Sequence, residues 1–283
     1  MPTIGFTTTI FTDEPTALPA LEFAVEHGFH VLELSGKHLW PEVMSATEMT
    51  ELQSVSKRYG IGLSIHFPTR YSPGSPDEAT RLECVSALRA TIGTAHELGT
   101  RIIVVHPGPA YSPGGDPDAV TEQGRAESRL RVMESMLAVA ADAEEAGVAL
   151  CLENVPFSPG LAVRSYSEQL EIVDGANSPV IALTLDAGHA WGSGGISEAF
   201  AAFGPRVRHL HIHDAIPEEP HLAIGAGSVD FAAHADSIRA FPHTMIMELT
   251  VDGEGLSAPA TGRARPALLS GRDDFRGWLG NVD

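Results

Sequence analysis

The chain repeats one pattern of apolar and polar positions: a helix-like stretch, a glycine, then a short and almost wholly apolar run. Gly28 precedes FHVLELS, Gly60 precedes IGLSIHF, Gly99 precedes TRIIVVH and Gly147 precedes VALCLENV. Each glycine suits the position just past a helix end, where a positive φ costs least without a Cβ. Further strand-like runs at residues 4–8, 180–186, 207–214 and 243–249 bring the expected strands to eight. Helix starts are marked by Ser45-Ala-Thr-Glu48, Ser75-Pro-Asp-Glu78 and Ser165-Tyr-Ser-Glu168, all with capping-box spacing. The second also has a proline at the first helical position. The longest expected helix covers residues 119–146, with Leu130, Met133, Leu137 and Ala140 as its apolar stripe.

Strands that are nearly all apolar and are separated by single helices pair in parallel, buried on both faces. Eight such repeats in about 250 residues fit an α/β chain closed as a (β/α)8 TIM barrel. The competing doubly wound sheet would want a Gly-rich phosphate turn after the first strand, and none follows it here. Residues 1–283 therefore read as a single domain. The Gly/Pro/Ser-rich segments 111–117 and 256–266 read as long barrel loops rather than linkers.

Composition narrows the function classes. A hydrophobic content of 43% and a charged content of 19% are ordinary for a globular protein. The net charge of −19 weighs against nucleic acid, whose phosphates are usually met by a Lys/Arg surface. Two cysteines, Cys84 and Cys151, suggest no disulfide framework. No run reaches the roughly 18 apolar residues of a membrane helix, and the N-terminus lacks the basic and apolar regions of a signal peptide. The expectation is a cytoplasmic protein with no membrane partner; whether it forms a homo-oligomer is left open.

In a barrel of this type the site lies at the C-terminal ends of the strands. Those ends offer Glu33, His66, His106, Glu153, Asp186, His211 with His213 and Asp214, and Glu248, while the strand beginnings offer Val, Ile and Gly. Loops add His189, Glu219 and His221. A single Glu or His at a strand end is more often a loop cap or an ion pair, but a whole rim of metal-ligand side chains is not a chance scatter. The stretch VRHLHIHDAIPEEPHLAIGAG is the densest part: period-2 alternation puts His209, His211 and His213 on one face. His209 lies deepest and reads as a satisfied core imidazole; His213 is open between supporting a ligand and touching substrate. Cys151 shares a face with Glu153 and reads as interior filling. Trp191 reads either as a wall for substrate or as a packed loop anchor. Asp186-Ala-Gly-His189 closes a strand with a carboxylate and returns an imidazole after a flexible Gly188 turn. Glu153, Asp186, His211 and Glu248 would then ring one site from the fifth to the eighth strands. Three carboxylates and one imidazole suit a divalent metal such as Mn, Zn, Co or Mg.

In SIHFP, VVHPG, LENV, LDAGH, HLHIHD, the H-x-x-x-G-x-G of His221 to Gly227, and MEL, the chain resembles the xylose isomerase-like barrel superfamily along essentially its whole length. The sugar isomerase and epimerase branch implies Glu153, Asp186, His211 and Glu248 as ligands of one metal. In that branch Glu153 and Glu248 also move a proton on and off the carbon beside a sugar carbonyl, and His189 helps hold a small carbohydrate-like substrate. The endonuclease IV-type branch implies instead two or three zinc ions. Its ligand positions fall on His66, His106, Glu153, Asp186, His189, His211, Glu219, His221 and Glu248, with Glu219 where that branch has Asp, and it cuts abasic DNA or a smaller phosphodiester. The chain departs from that branch at HFPTRYSPGSP, at Thr184-Leu-Asp-Ala-Gly-His and at His211-Ile-His-Asp, and only Arg263, Arg265, Arg272 and Arg276 offer phosphate contacts. The reading is a metal-dependent sugar isomerase or epimerase, with the zinc phosphodiesterase as the alternative.

Overall fold

Eight strands close into a parallel barrel in the order β1–β10–β7–β6–β5–β4–β3–β2, with β1 at Thr3–Thr7, β2 at Val31–Leu34, β3 at Gly62–His66, β4 at Ile102–Val105, β5 at Ala149–Glu153, β6 at Ile181–Asp186, β7 at Val207–Ile212 and β10 at Thr244–Met247. The expected strands all form, each within a residue or two of its expected bounds. The computed structural model describes residues 3–39, 44–112, 116–249 and 264–279. Trp40, the centre of the 111–117 loop, and residues 256–263 with Arg263 lie outside the described residues; residues 264–266 of the expected tail loop are helical.

Alternation along the strands sorts the side chains into two populations. Leu32 and Leu34, Ile103 and Val105, Leu150 and Leu152, Leu183 and Leu185, and Leu210 and Ile212 belong to the large core that the helices cover. Of the residues between them, which point inward, Glu33, Cys151, Thr184 and His211 are small or polar and Val104 is not; Ala149, Cys151 and Ala182 form a separate cluster with Ile102. Cys151 is thus interior filling as expected, and burial pushes its thiol up to about 12. Gly5 marks where the barrel interior is tightest: a Cβ there would lie 2.3 Å from the carbonyl oxygen of Val31 and 2.7 Å from Ile246 Cδ1.

The helices are α1 (Leu18–Glu26), α2 (Ala46–Tyr59), α3 (Glu78–Leu98), α4 (Glu122–Leu137), α5 (Ala140–Ala146), α6 (Tyr166–Ala176), α7 (Ala187–Trp191), α8 (Ile196–Phe203), α9 (Ala235–Ala240) and α10 (Ala264–Leu279). Ser45 caps α2 and Ser165 caps α6 through the expected amides of Glu48 and Glu168. At α3 the cap is Asp77, whose carboxylate accepts from Thr80 N at 2.8 Å; Ser75 instead accepts from Asp77 N at 3.2 Å. Asp is as good a cap as Ser, and the helix takes the later one. The expected helix 119–146 is two helices, broken at Val139 with φ −122° and ψ 4°. The Arg89 guanidinium donates to the Ala138 carbonyl at 2.8 Å, so the break leaves no unmet acceptor there.

The expected strand 207–214 stops at Ile212. Asp214–Ile216 and Glu219–Leu222 then form an antiparallel hairpin, β8 and β9, above the barrel. Asp214 ties its loop: the carboxylate accepts from the amides of Gly225 and Val229, both at 2.9 Å. Among the described residues no helix is long and apolar enough to cross a membrane.

Candidate metal centre and catalytic site

The inward positions at the strand C-termini converge, and His211 is the hub. Its Nδ1 lies 3.1 Å from Glu153 Oε1, 2.9 Å from Glu248 Oε2 and 3.9 Å from Asp186 Oδ2. His66 Nε2 closes the group from β3, 3.4 Å from Glu153 Oε2 and 3.8 Å from Glu248 Oε1. Ligand atoms of His66, Glu153, His211 and Glu248 all fall within 4.8 Å of one another, as do those of Glu153, Asp186 and His189, and those of His189, His213 and His221. His106 approaches from β4, with Nε2 2.9 Å from Glu153 Oε2. Glu219 is in none of these groups, although its Oε1 is buried without a partner.

Backbone carbonyls fix several of these rings. Nδ1 of His66, His189 and His221 lies 3.1, 3.1 and 3.2 Å from the carbonyls of Phe67, Asn154 and Glu248 respectively. A carbonyl only accepts, so each Nδ1 carries a proton and each Nε2 is the nitrogen turned into the site. The Nε2 atoms of His189 and His221 consequently face each other at 3.2 Å. His221 is held there at φ 61°, with its amide donating to His213 Nδ1 at 2.8 Å.

Asp186 shows how one carboxylate is aimed. Its Oδ1 accepts from His189 N at 2.7 Å and sits 3.0 Å from His213 Nε2. Oδ2 has no partner and points toward His211. Glu153 Oε2 and Glu248 Oε2 are likewise buried without an aligned donor, because His106 and His211 stand close but off the hydrogen-bond line. Three buried carboxylate oxygens without partners, with imidazole lone pairs turned among them, form a donor set that a divalent cation would satisfy. His213 thus stands against Asp186 Oδ1, on the side away from His211.

Without a cation the carboxylates hold protons on the rings they face, and those protons would leave as a cation binds. Burial pushes the Glu248 carboxyl up, but the His211 imidazolium outweighs it and holds the group down at about 2. Glu153 is held well below the usual carboxylate range against the same burial, by His211 and His106. Burial pushes His66 down, yet hydrogen bonding to Glu153 and the charge of Glu248 raise it to about 9. Burial and the neighbouring His213 charge lower His221 to about 4.

These shifts set a pH profile for the chelated chain. His221, depressed from 6.5 to about 4, is protonated more readily unfolded than folded, so stability rises with pH between those values. His66, raised from 6.5 to about 9, contributes stability that is complete below 6.5 and lost as pH rises through 9. Thermal midpoints of the chelated protein are expected to peak near neutrality, and His66→Gln to make the alkaline limb shallower and leave the acid limb unchanged, the raised His211 and His213 keeping the rest of the alkaline slope.

Gly188 is not the flexible turn the sequence suggested. It lies within α7, and a Cβ would sit 2.1–2.6 Å from three atoms of the His213 ring, so its role is close approach. Gly188→Ala is expected to push His213 off Asp186 and to cost about 1–3 kcal/mol, with weakened cation binding. Thermal denaturation with and without Mn²⁺ checks both.

Two residues treated lightly in the sequence lie beneath the ring. Glu33 and His209 are fully buried, with His209 Nε2 2.8 Å from Glu33 Oε2. His209 is only half satisfied, because its Nδ1 has no partner. Trp191 packs against the core and also lines a cavity of about 420 Å³ with His189, Ile216, Pro217 and Pro220. The packed-anchor reading of Trp191 holds. Arg272 donates to the carbonyl of His27 and Arg276 to that of Gly28 at 3.1 Å, which places both at the N-terminal end of β2, away from the site. Arg265 is paired with Asp13 and Glu14.

A family model described as xylose isomerase-like TIM barrel matches residues 21–269. An uncharacterised protein of Methanocaldococcus jannaschii, MJ1311, is 28% identical over 234 residues, covering 80% of this chain and 76% of that one. The structure of D-psicose 3-epimerase with D-tagatose, from Clostridium cellulolyticum H10, superposes with a TM-score of 0.80 at 18% identity, covering 98% of this chain and 99% of the other. The IolI protein with a bound zinc atom superposes with a TM-score of 0.78 at 18% identity, covering 99% and 100%. With the closed barrel and the family match in hand, the chain belongs to the xylose isomerase-like TIM barrel family.

Proposed function

We propose that the chain is a divalent-metal-dependent isomerase or epimerase that moves a proton beside the carbonyl of a sugar, keto-sugar or related small polyol. One observation carries the reading. Two buried carboxylates from different strands, Glu153 and Glu248, reach the same His211 nitrogen at 3.1 and 2.9 Å. The folds of a sugar 3-epimerase and of a zinc-bound protein support it by likeness.

His211 through Nδ1, Asp186 through Oδ2, Glu153 and Glu248 would hold the cation. When bound, it would polarise a carbonyl and the neighbouring hydroxyl. Glu153 and Glu248 are both ionised near neutral pH, so each starts as a base. A substrate carbon seated between them would lose its proton to one. The other would have to gain a proton before returning one, and His66, raised to about 9 and 3.4 and 3.8 Å from Glu153 Oε2 and Glu248 Oε1, is the group placed to supply it. The burial of Glu153 and Glu248, at 0% and 6% exposure, would shield the proton in transit, and it would exchange with solvent between turnovers. His189 would orient a substrate hydroxyl through Nε2. The cytoplasm is the proposed compartment and residues 1–283 the proposed single domain.

The test is proton exchange in D2O. D-tagatose, D-psicose and D-fructose are incubated with Mn²⁺-loaded protein and followed by NMR. Deuterium at the carbon beside the carbonyl of at least one sugar is expected. No exchange on any sugar, together with incision of abasic duplex or a small phosphodiester, would overturn the reading. The zinc phosphodiesterase alternative has one observation of its own: Glu153 turns Oε2 to His66 and His106 and Oε1 to His211, as a carboxylate bridging two ions would. Against it, Arg265, Arg272 and Arg276 are engaged in holding α10.

A further inference from the structure

Two buried titratable residues take no part in the proton transfer proposed above, and they are joined. Glu33, near the end of β2, accepts from Ser64 Oγ at 2.9 Å and lies 2.8 Å from His209 Nε2, both through Oε2. Its other oxygen lies 3.0 Å from His211 Nε2. Ser64 is the register partner of Glu33 on β3. His209 and His211 belong to β7, which pairs only with β6 and β10, so Glu33 reaches across the barrel interior to meet them. The four residues are at most 2% exposed. A carboxylate in so dry a place carries a desolvation cost that well-packed apolar residues would avoid. Its partners identify what it is for.

We propose that Glu33 is a positioning residue: its Oε1, 3.0 Å from His211 Nε2 with neither atom in another hydrogen bond, keeps the imidazole proton on Nε2, so that Nδ1 is the nitrogen a divalent cation would meet, while Ser64 and His209 hold Glu33 in place. A neutral imidazole has one donor and one acceptor nitrogen, and fixing the donor fixes the acceptor. Nδ1 is the nitrogen facing Glu153, Glu248 and Asp186; without a cation it donates to Glu153 Oε1 at 3.1 Å, and that proton is the one a cation would displace. A carboxylate behind a ligating histidine also raises its basicity and stops the ring from turning. This proposal rests on the metal-site reading and adds a residue to it.

The experiment titrates Mn²⁺ and Co²⁺ into the chelated full-length chain, following Mn²⁺ affinity and the visible absorption of bound Co²⁺. Glu33→Gln is expected to weaken Mn²⁺ binding about 10- to 100-fold and to alter the Co²⁺ spectrum. His209→Gln is expected to do so to a smaller degree. A merely structural Glu33 would lower the thermal midpoint and leave affinity and spectrum unchanged, and that result overturns the proposal. Should Glu33→Gln not fold, Ser64→Ala removes one of the bonds holding Glu33, and weakening of about threefold or more is expected; wild-type affinity in that variant overturns the proposal. If the wild-type chain itself binds neither ion, the metal reading fails and takes this proposal with it. If the wild type binds, His211→Asn does not, and Glu33→Gln matches the wild type, only the proposal fails.

Discussion

Glu153→Gln and Glu248→Gln are each expected to slow proton exchange beside a sugar carbonyl by roughly 100- to 10,000-fold at saturating Mn²⁺. The substitution keeps the shape of the side chain and removes its ability to take a proton. Saturating Mn²⁺ matters because each residue is also a proposed ligand, and the amide would weaken cation binding as well. The double variant is expected to lose little more than the worse single one, since two groups that hand over one proton act as a unit. NMR exchange in D2O on the wild type and three variants, with bound Mn²⁺ measured in parallel, checks the expectation. Exchange at the wild-type rate in either single variant removes that residue from the chemistry.

Removing the cation should be felt through the whole fold. The strand ends β3, β5, β6, β7 and the residue after β10 all place charged or ionisable groups in one buried ring, so a cation there ties together more than half of the barrel's upper rim. A ligand that binds only the folded chain stabilises it, by about 4 kcal/mol when present at a thousand times its dissociation constant. For a domain of this size that corresponds to about 10 °C in Tm. Melting with EDTA and with added Mn²⁺ should show that gap in the wild type and lose it in His211→Asn. A wild type that melts alike with and without EDTA would argue against a cation built into this ring.

The fold was legible because two periodicities agree. The glycines after the helices mark the helix ends; Gly60, Gly99 and Gly147 take the left-handed conformation there, with φ between 69° and 74°. Alternation along each strand then separates the outward Leu and Ile from the inward small and polar residues. The ring of acids and imidazoles was legible for the same reason: inward positions at the C-terminal rim have no apolar partner to fill, so an acid or imidazole there stands out. What escaped the sequence depends on distance across the barrel or on packing. Glu33 was read only as one more strand-end acid because its partners His209 and His211 are 176 and 178 positions away, and only closure brings them together. The hairpin of β8 and β9 was hidden by Pro217 and Pro220, residues that usually argue against a strand, yet Pro220 sits in a two-stranded ribbon where every strand is an edge. Gly188 was read for flexibility because the ring it lies against, His213, comes 25 positions later, just past the end of β7.

The most direct measurement is elemental analysis of metal per chain, on protein purified without chelator, beside His211→Asn prepared in the same way. About one divalent ion per wild-type chain, and none in the variant, is the expected result. A wild type with no bound ion would contradict the account. Two or three zinc ions per chain would instead make His66, His106 and His221 ligands and turn the search to phosphodiesters.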